Sequence, residues 1–160
     1  MIIFLLRHGD ALDSPTLEDS ERPLSAFGGR QASATGTYLV EKHSEISLIY
    51  CSPLLRARQT AEAVQISLRK VPIQITDSLR SSSDPREIIQ ELPRAQRQTV
   101  LLVGHEPHLS RTISLLLWGD TLSRVDMKKC SLACVSIPDP PEAGRGVLKW
   151  LVESSQMLKG

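Results

Sequence analysis

Apolar runs of strand length that stop abruptly at polar residues constrain the fold of this chain more than any other feature. Ile2-Ile-Phe-Leu-Leu6 breaks off at Arg7-His8-Gly9-Asp10, Ile46–Cys51 at Ser52-Pro53, and Thr99–Val103 at Gly104-His105-Glu106-Pro107. Such runs are too short for buried helices, and longer stretches with helical spacing or capping signals separate them. That alternation predicts a mostly parallel central sheet covered by helices, a three-layer α/β/α sandwich. In open sheets of this kind ligands bind at the carboxyl ends of the strands. The residues at the breaks are therefore the candidate functional ones.

The remaining elements follow from local signals. Strand one is expected over Ile2–Arg7, and the acidic, proline-containing Leu12–Pro23 reads as a loop. Ser25 can cap a helix from about Ala26 to Lys42, in which Gly28-Gly29 suggests a close backbone contact and His43 a C-terminal cation. Ser52 and Pro53 read as N-cap and first residue of a helix to about Arg69. Val71–Thr76 reads as a short strand, and Asp84-Pro85-Arg86-Glu87 opens a short helix that ends before Pro93. Pro107 starts a helix that Gly119 ends, and Leu132–Ile137 with Val147–Val152 forms a plausible hairpin. No repeat or linker divides the chain, so residues 1–160 are expected to form one domain.

The chemistry of the strand ends is specific. Arg7 is permanently charged and can grip a phosphate bidentately. His8 can attack phosphorus through one ring nitrogen while a hydrogen bond holds the other. Gly9 lets the backbone turn and a ligand approach closely. Arg56 falls in the first turn after the second run, beside a helix N-terminus that favours anions. His105 can donate to a phosphoryl oxygen as charge develops there. Cys51 is rejected as a nucleophile: cysteine phosphatases place arginine six residues on, where this chain has Ala57, and Pro53 interrupts the loop.

The segments I-F-L-L-R-H-G-D, S-P-L-L-R56-A-R-Q-T-A and V-L-L-V-G-H105-E-P, with R22-P-L-S-A-F-G-G-R-Q31-A, resemble the histidine phosphatase (phosphoglycerate mutase-like) superfamily. Within it the likeness is greatest to the short phosphohistidine phosphatases of the SixA type. The resemblance implies a phosphoglycerate mutase-like fold. It also implies a phospho-His8 intermediate formed without metal or other cofactor, with Arg7, Arg56 and His105 as catalytic and substrate-binding partners. Gly9 and Arg22 join the candidate substrate contacts. Glu106 is the candidate general acid, with a plain helix-terminus carboxylate as its alternative reading. The expected substrate is a phosphorylated protein, for example a phosphorelay histidine domain, because no insertion long enough to roof the site occurs. A small-molecule phosphomonoesterase acting on a sugar or nucleotide phosphate is the alternative enzyme, and a phosphate-binding interaction module the alternative outside enzymology.

Composition narrows the field. A net charge of +1 and an aromatic content of 4% offer neither an electrostatic nor a stacking surface for nucleic acid, and none for an anionic membrane. The first apolar run is too short to span a bilayer and lacks the flanks of a signal peptide, so a cytoplasmic location is expected. Cys51, Cys130 and Cys134 form no disulfide framework; at strand rise the last two are about 13 Å apart, too far to bridge. His108, Glu106 and Asp10 invite a metal reading, but two arginines would repel a cation and no metal-site motif occurs.

Overall fold

A computed structural model describes residues 1–42 and 45–159. The strands are β1 (Ile2–Arg7), β2 (Leu48–Cys51), β3 (Ile73–Ile75), β4 (Thr99–Gly104), β5 (Leu132–Ser136) and β6 (Val147–Val152). The helices are α1 (Ala26–Lys42), α2 (Leu55–Ser67), α3 (Pro85–Glu91), α4 (His108–Trp118) and α5 (Ser154–Met157). The strands form one sheet in the order β3-β2-β4-β1-β5-β6. The β3, β2, β4 and β1 strands run parallel, whereas β5 is antiparallel to both β1 and β6. This is the expected sandwich, with the expected late hairpin. The His43 helix-end reading lies outside the described residues.

Both faces of the sheet are buried, which is why its central strands read as unbroken apolar runs. Phe4, Leu6, Leu101 and Val103 point into one core with residues of α1, α2 and α5, including Leu39, Val64 and Met157. Ile3, Leu5, Val100 and Leu102 point into the other with Ile88 of α3 and Leu109 and Ile113 of α4. Among the described residues no helix is long and apolar enough to cross a membrane.

Several boundaries move for physical reasons. Helix α2 begins at Leu55 with Leu54 as N-cap, not at Pro53. Ser52 Oγ still accepts from Leu54 N–H at 3.4 Å and also lies 2.7 Å from the His105 ring, but the regular helix starts three residues further on. The edge strand β3 is shorter than expected, with the Val71 carbonyl bonded by Gln65 Nε2 instead of joining the ladder. Helix α5 was not expected: Glu153 and Gln156 close it as a capping box, and its Ser154 Oγ accepts from Gln31 Nε2.

Register sets the site. Parallel pairing puts Arg7 opposite Gly104 and Cys51 opposite Val103, so Arg7-His8, Ser52 and His105 leave the sheet at one level. His8 N–H donates to the Gly104 carbonyl and Ser52 N–H to that of Val103, extending the ladder into the site.

The close contact suggested by Gly28-Gly29 is made by Gly28. A Cβ there would lie 2.0 Å from the Asp10 carbonyl oxygen, while one at Gly29 would meet nothing within 4 Å. Gly28→Ala is therefore expected to cost about 1–3 kcal/mol, lowering Tm by several degrees, whereas Gly29→Ala, unhindered within the helix, is expected to stabilise by up to about 1 kcal/mol. Thermal melts of the two variants check this, and equal Tm values would contradict the contact.

Candidate active site

Three buried polar side chains meet where the parallel strands end. His8, Arg56 and His105 are 6%, 8% and 2% exposed. The two imidazole centroids lie 5.0 Å apart, and Arg56 Nε donates to His8 Nε2 at 3.3 Å. The structure thus brings together residues that stand 48 and 97 positions apart from His8 (56 − 8 and 105 − 8). Arg7 is half-buried beside them. Its NH1 donates to the Met127 carbonyl at 2.8 Å, and its Nε is buried without a hydrogen-bond partner among the described residues.

The proton on His8 is located by its neighbours. Nδ1 lies 2.7 Å from the Gly9 carbonyl oxygen, which can only accept, so Nδ1 carries the hydrogen and Nε2 the lone pair. Burial pushes the His8 pKa down to about 4; the Gly9 hydrogen bond opposes that, and Arg56, Arg7 and Lys129 reinforce it. The His105 pKa falls to about 3, again chiefly through burial, with His8 and Arg56 adding. Both rings are neutral at pH 7. The arrangement is a poised nucleophilic nitrogen beside fixed positive charge, suited to an anionic electrophile such as a phosphoryl group. Cys51 is buried, and its thiol is pushed up to about 12 by burial, which removes it as a competing nucleophile.

Gly9 also meets a close neighbour within the fold. A Cβ on it would lie 2.7 Å from the Gly28 carbonyl oxygen, so helix α1 approaches it closely. Its N–H donates to Thr60 Oγ1, and the next N–H, of Asp10, donates to Gln31 Oε1. Gln59 likewise accepts from Leu24 N–H. These polar residues of α1 and α2 clamp the chain that follows His8. Sequence reasoning listed Gln31, Gln59 and Thr60 within motifs but gave them no task.

Asp19 was missed altogether. It lies in a 3-10 turn, Asp19–Glu21, where its carbonyl accepts from Arg56 NH1 at 2.7 Å and its carboxylate from Arg56 NH2 at 3.1 Å. Burial tends to raise its pKa, but the bonds from Arg56 and Arg22 outweigh that and hold it below the usual carboxylate range. Arg22 spends its guanidinium on Asp13, Asp19 and the Leu12 carbonyl. It therefore braces Asp19, and no hydrogen bond joins it to His8 or His105 among the described residues.

Glu106 is half-buried at the start of α4. It accepts from Ser110 N–H at 3.0 Å and from the Ser110 hydroxyl. Burial raises its pKa against those bonds and the nearby charge of Arg7. Both expected readings thus have a basis in its surroundings: a helix-terminus carboxylate, and an acid that holds its proton unusually well. Among the described residues no group of three or more His, Cys, Asp or Glu side chains is arranged to hold a metal ion.

The buried histidines make stability depend on pH. His8, His105 and His108 have folded pKa values of about 4, 3 and 4, depressed mainly by burial, against about 6.5 in an unfolded chain. The unfolded chain therefore binds more protons between pH 6.5 and 4. Stability is full above that window and is lost as pH falls through it. Tm is expected to fall steadily from pH 7 to pH 5 in thermal melts, and a flat profile would show that these rings are not buried in their neutral form.

Comparison with known proteins places this geometry. Residues 3–83 match the histidine phosphatase superfamily (branch 1). The phosphohistidine phosphatase SixA of Escherichia coli (strain K12) is 29% identical over 155 residues, covering 94% of this chain and 92% of that protein. An uncharacterised protein of Picosynechococcus sp. is 29% identical over 136 residues, 82% of each chain. Among solved structures, the protein histidine phosphatase SixA complexed with tungstate superimposes with a TM-score of 0.85 at 27% identity, over 98% of this chain and 99% of that one.

Proposed function

This chain belongs to branch 1 of the histidine phosphatase superfamily and is a phosphatase, and from that premise we propose that it removes phosphate from phosphohistidine on a protein. One observation carries the choice of substrate: the likeness to phosphohistidine phosphatase SixA runs through 94% of the chain. The cover over Arg56 agrees with it. Among the described residues that cover is the Asp19–Glu21 turn, and the Asp19 side chain is itself 66% exposed. A phosphorylated side chain on a folded protein can reach such a site once Asp19 yields Arg56 to the phosphate. A phosphorelay histidine domain would present one.

The reading assigns each group a task. The phosphoryl group enters between His8 Nε2 and Arg56, with Arg7 and Arg56 matching its charge; at about 4 Å and an effective dielectric of about 20 each such contact is worth about 4 kcal/mol before desolvation. The Nε2 lone pair of His8 forms a bond to phosphorus as the bond from phosphorus to the substrate nitrogen breaks. The substrate's imidazole leaves with the electron pair, as the neutral ring because its other nitrogen carries a proton. His105 donates a hydrogen bond to a phosphoryl oxygen as charge spreads over it. Water then attacks phospho-His8, releasing orthophosphate and restoring the neutral ring. The permanent charges are arginines, so the scheme uses no metal or cofactor.

Glu106 favours a second reading, a phosphomonoesterase acting on a small metabolite. An alkoxide leaving group needs a proton, and a carboxyl with a raised pKa can supply one. The two readings separate in one experiment. The kcat/KM for a phosphohistidine protein is expected to exceed that for common sugar phosphates by at least about tenfold, roughly 1.4 kcal/mol. Glu106→Gln is expected to slow ester hydrolysis more than phosphohistidine hydrolysis. A sugar phosphate turned over as fast as the phosphoprotein would promote the second reading, and equal slowing on both substrates would remove Glu106 as the acid.

A further inference from the structure

The two ring nitrogens of His105 have unlike surroundings. Nε2 lies 2.7 Å from Ser52 Oγ, and Nδ1 is buried without a hydrogen-bond partner among the described residues. Ser52 is itself 0% exposed, and its Oγ already accepts from Leu54 N–H at 3.4 Å. Two placements of the protons are possible. If Nε2 carried the hydrogen and donated to Ser52, the serine proton would be buried without an acceptor and the Nδ1 lone pair without a donor. If Ser52 donates to Nε2, the serine is fully used and a single group, Nδ1–H, stays unpaired. A buried N–H with no partner is costly, and where one persists it calls for an explanation.

We propose that Ser52 is a positioning residue that fixes the tautomer of His105, keeping its proton on Nδ1 as the donor for a phosphoryl oxygen. Only the identity of that acceptor rests on the functional reading above; the tautomer is a property of the ligand-free protein. Its effect follows from the charge state of the ring. The His105 pKa is pushed down to about 3, so at neutral pH the imidazole has one hydrogen to give. On Nδ1 that hydrogen meets the substrate. On Nε2 it would be spent on Ser52, and a lone pair would face an anionic oxygen.

The test is nitrogen-15 NMR of the histidine rings in the full-length, ligand-free protein near pH 7, with His105→Asn used to assign the signals. The expected spectrum shows His105 protonated at Nδ1 and unprotonated at Nε2. In Ser52→Ala the ring should shift toward the Nε2–H form, and Ser52→Thr, which keeps a hydroxyl, should restore the Nδ1–H form. Measured on an aryl phosphate, Ser52→Ala should lose at least about tenfold in kcat with KM little changed, since a misplaced tautomer of a catalytic imidazole costs up to about 10⁴-fold elsewhere. An Nε2–H signal in the unsubstituted protein overturns the proposal, whatever the substrate proves to be. So does Nδ1–H retained in Ser52→Ala alongside lost activity. A failed preference for phosphohistidine with the Nδ1–H tautomer in place would instead touch the substrate assignment alone.

Discussion

His8→Ala is expected to lower kcat/KM by at least about 10³-fold, roughly 4 kcal/mol of transition-state stabilisation, on every phosphorylated substrate the enzyme accepts. The size follows from what the ring alone supplies. Its Nδ1 hydrogen is committed to the Gly9 carbonyl, which aims the Nε2 lone pair at Arg56. Burial keeps the ring neutral down to a pKa of about 4. The second imidazole, His105, is already engaged with Ser52, and the Cys51 thiol is buried with its pKa near 12, so neither replaces the nucleophile. Steady-state kinetics beside a thermal melt checks the expectation. A folded His8→Ala protein retaining a tenth of the activity would assign the chemistry elsewhere.

Arg56→Ala is expected to cost about 10²–10³-fold, roughly 3–4 kcal/mol, the range found when one fixed donor is removed from a site of developing negative charge. The loss should fall on both KM and kcat, because in the proposed mechanism the guanidinium meets the phosphate in the ground state and more strongly in flight. Lysine should not rescue it. Arg56 uses Nε toward His8 and NH1 and NH2 toward Asp19, a fork that a point charge on a flexible stem cannot reproduce. Arg56→Lys within about threefold of the parent would show that charge alone, without the fork, suffices.

The strand ends were legible because a buried strand in a covered sheet must be apolar along its whole length, so its end is visible as an abrupt change of residue type. That is why Arg7-His8 and His105 could be placed from sequence, and with them Arg56, a few residues beyond the second break. Ser52 was half legible. Serine before proline satisfies an N–H near a helix start, and Ser52 Oγ does accept from Leu54 N–H, but nothing local records that its hydroxyl has a second partner 53 residues away at His105. At Gly9 the approach of Gly28 of α1 was not legible, because it comes from a helix remote from the strand end. Asp19 sits in a loop where several acids precede Arg22, and only the folded chain picks out the one that meets Arg56. The missed residues share one property: their roles are set by partners remote in sequence, while the local pattern around them is ordinary.

In the proposed mechanism phosphate passes through His8. This step is tested most directly by rapid acid-free quenching of the enzyme during turnover of a radiolabelled phosphohistidine protein, followed by proteolysis and mapping of the label. The account predicts a phosphoryl group on the peptide containing His8, labile in acid and stable in base as phosphoramidates are. It should be absent from His8→Ala and undiminished in Cys51→Ala. Label on the enzyme that persists in His8→Ala, or that maps to any other peptide of the enzyme, would contradict it.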